Sequence, residues 1–413
     1  MKNYGYFDDR HREYVITDPK TPVKWINYLG TLAFGGFVDQ TGGMLICAQD
    51  PALNRITKYL TQDPPSEFRA STIYLRLPKT QGAFDVFSPF FVPTLTDLDH
   101  YECRVGLGYS TIRSEIKGLR VEVHIFIPQD EKLVVQQVTV TNLTAQAKTV
   151  DLVPVVEYTH PDALKQLTNA DWVPQTMGSY LHEEGGGMKI LSQCPFMLKD
   201  IRRNYLTANL PISSFETDRG LFLGDNSYGS WASPGSLQQK ELSSTLALRG
   251  DNIAALMLHL GSIPAGESRE SIVLLGQTPS IEEAMPGIQR YRNAAQVAQS
   301  FDALKAYWTS ILSAAQVETP DEDLNRMLNI HNPRQCVITM NWSRYLSLYQ
   351  LGFGARGMGF RDSSQDVMGA ITALPSESKA LLIKLLQVQK RDGSAMHQFN
   401  PLTMVANVGD SAA

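Results

Sequence analysis

A β-rich N-terminal part followed by a helical C-terminal part is the fold class the sequence predicts, and one change in hydrophobic period carries that prediction. Up to Leu275, apolar residues alternate with polar ones in short runs broken by Gly, Pro, Asn and Asp; from Ser280 they recur at helical spacing. Length points the same way. At 413 residues the chain exceeds what one core serves, so two domains are expected, and 43% apolar residues suffice for a large core.

The strands justify themselves in order. Leu119, Val121, Val123, Ile125 and Ile127 alternate with Arg120, Glu122, His124 and Phe126. A polar break at 129–132 precedes Leu133 to Thr141, and 142–148 separates these from Val150 to Tyr158, so the three runs read as an antiparallel meander. Similar runs continue through Ile272 to Leu275, which predicts a large β-sandwich over residues 1–279. Ser280 with Glu283 is a capping box, and Phe301, Leu304, Trp308 and Ile311 follow at helical spacing, giving a helical linker at 280–318. Thr319, Pro320 and Glu322 mark the next start, with proline at the first helical position. Leu381, Leu382, Leu385, Leu386 and Val388 form a further amphipathic helix stopped by Gly393. There is no short repeat or low-complexity tract.

Net charge of −5 and a pI near 5.9, without a Lys/Arg block, argue against nucleic acid or an anionic membrane as partner. The first ten residues are polar and acidic, and no apolar run is long enough to span a bilayer, so the protein reads as cytoplasmic. Its four cysteines, Cys47, Cys103, Cys194 and Cys336, have no C-x-x-C spacing; neither a zinc site nor a disulfide framework is indicated. The sequons at Asn142 and Asn341 carry no meaning without a secretory signal.

Chemistry concentrates in 354–366. Arg356, Arg361, Asp362 and Asp366 place two guanidiniums and two carboxylates within eleven residues, beside glycines that let the backbone turn sharply. Such a set grips sugar hydroxyls. It also has two plainer readings: a solvated charge cluster, or a capping box of Asp362 with Gln365 ahead of Val367, Met368, Ile371 and Leu374. Elsewhere, His397 reads as a hydrogen-bonded core residue, and Glu157, His160 and Asp162 as a loop hydrogen-bond cluster in preference to a metal triad.

Three segments carry a resemblance: Asn341-Trp342-Ser343-Arg344-Tyr345 leading into Gly359-Phe360-Arg361-Asp362-Ser363-Ser364-Gln365-Asp366; Arg391-Asp392-Gly393-Ser394-Ala395-Met396-His397-Gln398-Phe399; and an N-terminal series. That series is Tyr4-Gly5-Tyr6-Phe7-Asp8-Asp9, Arg12-Glu13-Tyr14-Val15-Ile16-Thr17, Trp25-Ile26-Asn27-Tyr28-Leu29-Gly30 and Tyr101-Glu102-Cys103-Arg104-Val105-Gly106-Leu107-Gly108-Tyr109. In this order the chain resembles the disaccharide phosphorylases of glycoside hydrolase family 94, formerly glycosyltransferase family 36. The resemblance implies that the sandwich and linker lead into an (α/α)6 catalytic barrel, here residues 319–413. Those residues are fewer than half of what six helix pairs need, roughly 200 or more, so the expectation is an N-terminal fragment with an incomplete barrel.

The implied activity is inverting phosphorolysis of a β-linked glucose disaccharide to α-glucose 1-phosphate. Inorganic phosphate is the co-substrate and replaces the general base, so no cofactor or metal is expected. The general acid is an aspartate expected further downstream, which leaves no catalytic residue in this chain and predicts that the fragment alone is inactive. By the same resemblance Arg356, Arg361 and Asp362 bind the glucosyl unit, Gln365 and Asp366 support them, and Arg344 faces phosphate. A homodimer is implied, in which N-terminal loops approach the partner's sugar site; Trp25, Asn27 and Tyr28 are either part of that or plain core. The segments 31–39 and 168–175 look more like the laminaribiose or cellobionic acid branches than the cellobiose branch. Two alternatives stay open: a noncatalytic carbohydrate-binding or dimer-forming sandwich, and an (α/α)6 hydrolase using water, which needs a second carboxylate that nothing after Glu318 marks.

Overall fold

The computed structural model describes residues 2–61, 63–79, 82–185, 187–224, 228–342, 344 and 357–406. They fall into two units, Met1–Gln49 with Leu53–Phe301, and Asp50–Ala52 with Asp302–Ala413.

The first unit is an antiparallel sandwich. One sheet has ten strands in the spatial order Gly5–Asp8, Glu13–Ile16, His100–Val105, Tyr109–Ile116, Leu119–Phe126, Leu133–Asn142, Ser268–Thr278, Arg203–Ala208, Met188–Pro195 and Met177–Glu184. The other has five: Ile212–Asp218, Asn252–Ile263, Lys148–Glu157, Ser71–Pro78 and Phe84–Phe87. A three-stranded sheet, Ile26–Gly30, Gly35–Asp39 and Met44–Cys47, accompanies them. The alternation at 119–127 has its expected meaning, because Leu119, Val121, Val123 and Ile125 point into the core between the large sheets, opposite Ile73, Leu75, Leu152 and Leu256. Phe126 breaks the alternation and is nonetheless buried. It faces the other way, with its ring 5.3 Å from that of Phe301.

The predicted meander is only partly realised. Leu119–Phe126 and Leu133–Asn142 pair as expected, but Lys148–Glu157 leaves for the five-stranded sheet, between Ser71–Pro78 and Asn252–Ile263. The reason lies in its composition. Val150, Leu152 and Val156 face the ten-stranded sheet, whereas Val153 and Val155 join Tyr74, Phe222, Leu237 and Met257 in a second cluster on the opposite face. A strand apolar on both faces fits a layer covered on both sides, not the outer sheet.

The crossing is held by Asn142, which is fully buried. Its Nδ2 donates to Gln146 O at 2.7 Å and Ile263 O at 2.9 Å, and its Oδ1 accepts from the Thr144 amide at 3.0 Å and hydroxyl at 2.7 Å. The sequon is therefore an Asx turn. Asn142→Ala is expected to destabilise the sandwich by about 2 to 3 kcal/mol, because two carbonyls and a buried amide lose partners together; urea unfolding measures this, and a cost below about 0.5 kcal/mol would show that the turn holds without the side chain.

Ser280 caps the helix Ile281–Tyr291, accepting from the Glu283 amide at 3.3 Å, and Leu304, Trp308 and Ile311 are buried along Ala294–Leu312. Pro320 is not the first helical residue as expected. Asp321 is the N-cap of Glu322–Arg326, accepting from the Leu324 amide at 3.0 Å, because an aspartate side chain can satisfy that amide and proline cannot. In the second unit Asn332–Trp342, Phe360–Ala370 and Pro375–Leu386 pack in sequence order. The last of these ends before Gly393, which instead takes a positive φ of 88° in the turn joining Gln389 to Ala395. Among the described residues no helix is long and apolar enough to cross a membrane, and all four cysteines are free.

Candidate functional site

The candidate site sits at the head of the helix Phe360–Ala370, whose start is fixed by backbone pairing. Met358 and Gly359 pair with Phe399 and Gln398, the Phe360 amide donates to His397 O at 3.2 Å, and the Gly357 amide donates to Gln398 Oε1 at 3.1 Å. Gly359 is the N-cap residue, so Asp362 stands at the third position of the first turn and is not a capping residue. The capping-box reading of Asp362 and Gln365 is thereby removed. The Asp362 carboxylate folds back toward Gly359, where an added Cβ would come within 3.1 Å of Oδ2.

Two arginines address the two carboxylates on this helix. Arg361, 82% exposed, donates to Asp362 Oδ1 through Nη2 at 2.8 Å and Nε at 3.3 Å. Asp366 lies one turn further on and is 7% exposed; Arg344 grips it with two bonds, Nε to Oδ2 at 2.6 Å and Nη2 to Oδ1 at 2.8 Å. The remaining Nη1 of Arg344 is 3.9 Å from Asp362 Oδ2. The hydrogen bond from Arg361 is the largest influence and holds the Asp362 carboxyl below its ordinary range against the opposing effect of burial, with the charges of Arg344, Arg361 and His397 adding to it. Arg344 is raised, chiefly by its bond to Asp366. At neutral pH this is an ionised carboxylate on a braced helix, with acceptor capacity open to solvent and cationic donors beside it. Such a group accepts paired hydroxyl hydrogen bonds.

Of the sequence-predicted residues, the fold brings Arg344, Arg361, Asp362 and Asp366 together. Gln365 is exposed on the same helix and makes none of the bonds that join them. Arg356 lies outside the described residues. His397 is exposed, not core: it lies in a bend just ahead of the strand Gln398–Asn400, outside the pairing that buries Phe399. The cluster at Glu157, His160 and Asp162 is structural: Asp162 caps a helix through the Lys165 amide, His160 Nδ1 accepts from the Asp162 amide at 3.1 Å, and Glu157 pairs with Lys58 and Arg219. The Arg344–Asp366 pairing was not visible in the sequence, since 22 residues separate the partners and no pattern marks them.

The N-terminal segments also meet. Asn27 is buried, and its amide donates to Gly106 O, Tyr109 O and Ser110 Oγ, which assigns it to the core. Arg104 bridges Asp8 at 3.0 Å and Glu13 at 2.7 Å, and the Tyr109 hydroxyl donates to Glu13 at 2.6 Å. Burial works against ionising Asp8, but bonds from His11 and Arg104 prevail and bring its pKa to about 2. Asp8, His11 and Glu13 have metal-ligand spacing, yet the Arg104 guanidinium supplies the positive charge there.

Comparison with known proteins adds the following. The domain described as "Glycosyl hydrolase 94, supersandwich domain" matches residues 12–294, and "Glycosyl hydrolase 94 superfamily, catalytic domain" matches residues 307–413. An N,N'-diacetylchitobiose phosphorylase of Vibrio furnissii is 30% identical over 96% of this chain and 48% of its own length. A 3-O-beta-D-glucopyranosyl-beta-D-glucuronide phosphorylase of Paenibacillus borealis is 27% identical over 94% and 47%. The chain thus spans about half the length of the curated relatives it matches. Among solved structures, a bacterial glucoamylase complexed with acarbose superposes with a TM-score of 0.58 at 11% identity, over 98% of this chain and 55% of that one, a likeness of fold that places the helical region in the (α/α)6 class.

Proposed function

Because the chain belongs to the glycosyl hydrolase 94 family, we propose that its activity is that of an inverting disaccharide phosphorylase, splitting a β-linked glucose disaccharide with inorganic phosphate to give α-glucose 1-phosphate. The observation that carries this reading is the ordered match of both domains of that family along one chain. The geometry of Arg344, Arg361, Asp362 and Asp366 supports it. Asp362 accepts hydrogen bonds from adjacent hydroxyls of the glucosyl unit, Arg361 and Arg356 donate to its oxygens, and Arg344 with Asp366 braces the helix head, with Arg344 Nη1, 3.9 Å from Asp362 Oδ2, directed toward phosphate. Gln365 joins from the exposed side of the helix. Phosphate attacks the anomeric carbon while an aspartic acid, expected beyond residue 413, protonates the leaving oxygen. The reading includes a cytoplasmic homodimer that needs no metal or organic cofactor.

The test supplies phosphate with cellobiose, laminaribiose, cellobionic acid or N,N'-diacetylchitobiose and measures sugar 1-phosphate. The complete product of the gene is expected to release it from one of the four, and residues 1–413 alone from none. Release by the 413-residue chain would overturn the placement of the acid. Free monosaccharide formed without phosphate would favour the hydrolase reading, and no turnover with sugar binding intact the noncatalytic one. Light scattering tests the dimer.

A further inference from the structure

The outer face of the five-stranded sheet is closed by a strap, residues 234–242, and a ladder of charge fastens it. Strand register sets Arg76, Asp151 and His259 side by side on three neighbouring strands. Arg76 is fully buried: Nε and Nη2 donate to Asp151 Oδ2 at 3.1 and 2.7 Å, and its other hydrogens reach the strap carbonyls of Leu237, Gln239 and Lys240 at 3.4, 2.5 and 3.1 Å. Leu237 and Leu242 sink into the apolar cluster around Tyr74, Val153 and Met257. Glu241 ties the far end. Its Oε2 accepts from the Ser213 and Ser214 hydroxyls at 2.9 and 2.6 Å, and its Oε1 is 3.0 Å from His259 Nε2, whose Nδ1 is 2.6 Å from Asp151 Oδ1.

An imidazole between two carboxylates can satisfy both only as the imidazolium, since the neutral ring has one N–H. When the proton leaves, one carboxylate must face a lone pair. Asp151 is 10% exposed and needs its donor, whereas Glu241 is 41% exposed and can turn to water, so the Glu241 contact is the one that opens. We propose that His259 is a pH-operated latch that adds a charged clip between the 234–242 strap and the sheet when protonated and drops it when neutral, loosening the Glu241 end, which then rests on the Ser213 and Ser214 hydroxyls alone. Burial opposes the charge on His259, but the bonds to Asp151 and Glu241 outweigh it and raise its pKa above the ordinary imidazole value. The stabilisation is therefore complete below the unfolded-state value and is lost as pH rises through the higher folded one. The groups against the ring are Asp151, whose other oxygen is held by Arg76, and Glu241, whose other oxygen is held by the two serine hydroxyls. Glu216, further along the serine strand, is engaged by Ser243 and stands apart from the latch.

Hydrogen exchange of peptides covering the strap, in the 413-residue chain and corrected for intrinsic rates, tests this between roughly pH 6 and pH 8.5, either side of the imidazole range. Strap exchange is expected to rise severalfold at the higher pH while 119–126 stays protected. His259→Asn is expected to fix the strap at the fast level at both values. The same pH dependence in wild type and His259→Asn, or none in the wild type, overturns the latch. If His259→Asn does not fold, Glu241→Gln takes its place: a discharged partner is expected to remove the pH dependence, and its persistence overturns the proposal.

Discussion

Under the proposed phosphorolysis, with the catalytic acid beyond residue 413, Asp362→Asn in the longer product is expected to lower kcat/KM by roughly 30- to 1000-fold, or about 2 to 4 kcal/mol of transition-state stabilisation, while the melting temperature hardly moves. Asparagine keeps the shape but removes the charge that draws hydroxyl hydrogens closer as positive charge grows on the sugar ring. The fold is nearly indifferent to the change. The helix is capped at Gly359, and the ion pair with Arg361 is exposed, so its loss costs about 0 to 1 kcal/mol. Because the Asp362 pKa is lowered, its charge persists below the ordinary carboxylate range, and an acid limb of activity near pH 5 has to come from another group. Phosphorolysis kinetics measured beside thermal melting decide the matter, and unchanged kinetics would retire Asp362 as a sugar ligand.

Arg69→Met should give the largest loss of stability, about 3 to 5 kcal/mol in urea unfolding. Arg69 and Asp39 are at most 1% exposed and meet at 2.6 Å. The same Asp39 oxygen accepts from the Tyr59 hydroxyl at 2.8 Å, and the other takes the Thr41 amide and hydroxyl. Removing the guanidinium leaves a fully buried carboxylate with neutral donors only. The double variant with Asp39→Asn should recover part of the loss, because no uncompensated charge then remains. A single-variant cost below about 1 kcal/mol would mean that the neutral donors suffice.

Much of the sandwich was legible because alternation reports one-sided burial, and the linker because Ser280 and Glu283 form a cap that depends on neighbours in sequence. Partnership across the fold was not. Nothing local told that Lys148–Glu157 would change sheets, although its unbroken apolar run was the available sign. The acidic residues of the candidate site stood out by composition, but their arginine did not: Arg344 reaches Asp366 only after two helices are packed. Asp362 was open to a capping reading because N-cap and first-turn acids share one pattern in sequence; the pairing of Met358–Gly359 with Gln398–Asn400 is what fixes where the helix begins. Arg76, whose hydrogen-bond partners Asp151, Leu237, Gln239 and Lys240 are all distant in sequence, gave no signal at all.

The doubly covered sheet also sets an order of events during synthesis. Lys148–Glu157 can pair with Ser71–Pro78 as soon as it leaves the ribosome, but its other neighbour, Asn252–Ile263, follows nearly a hundred residues later. At translation rates of roughly 5 to 20 residues per second, its apolar faces wait on the order of 5 to 20 seconds for cover. Nascent chains halted between residues 157 and 252 should therefore present the most adhesive surface this polypeptide ever shows, and a chaperone that binds extended apolar strands should be recruited there and released once the strand ending at Ile263 has emerged.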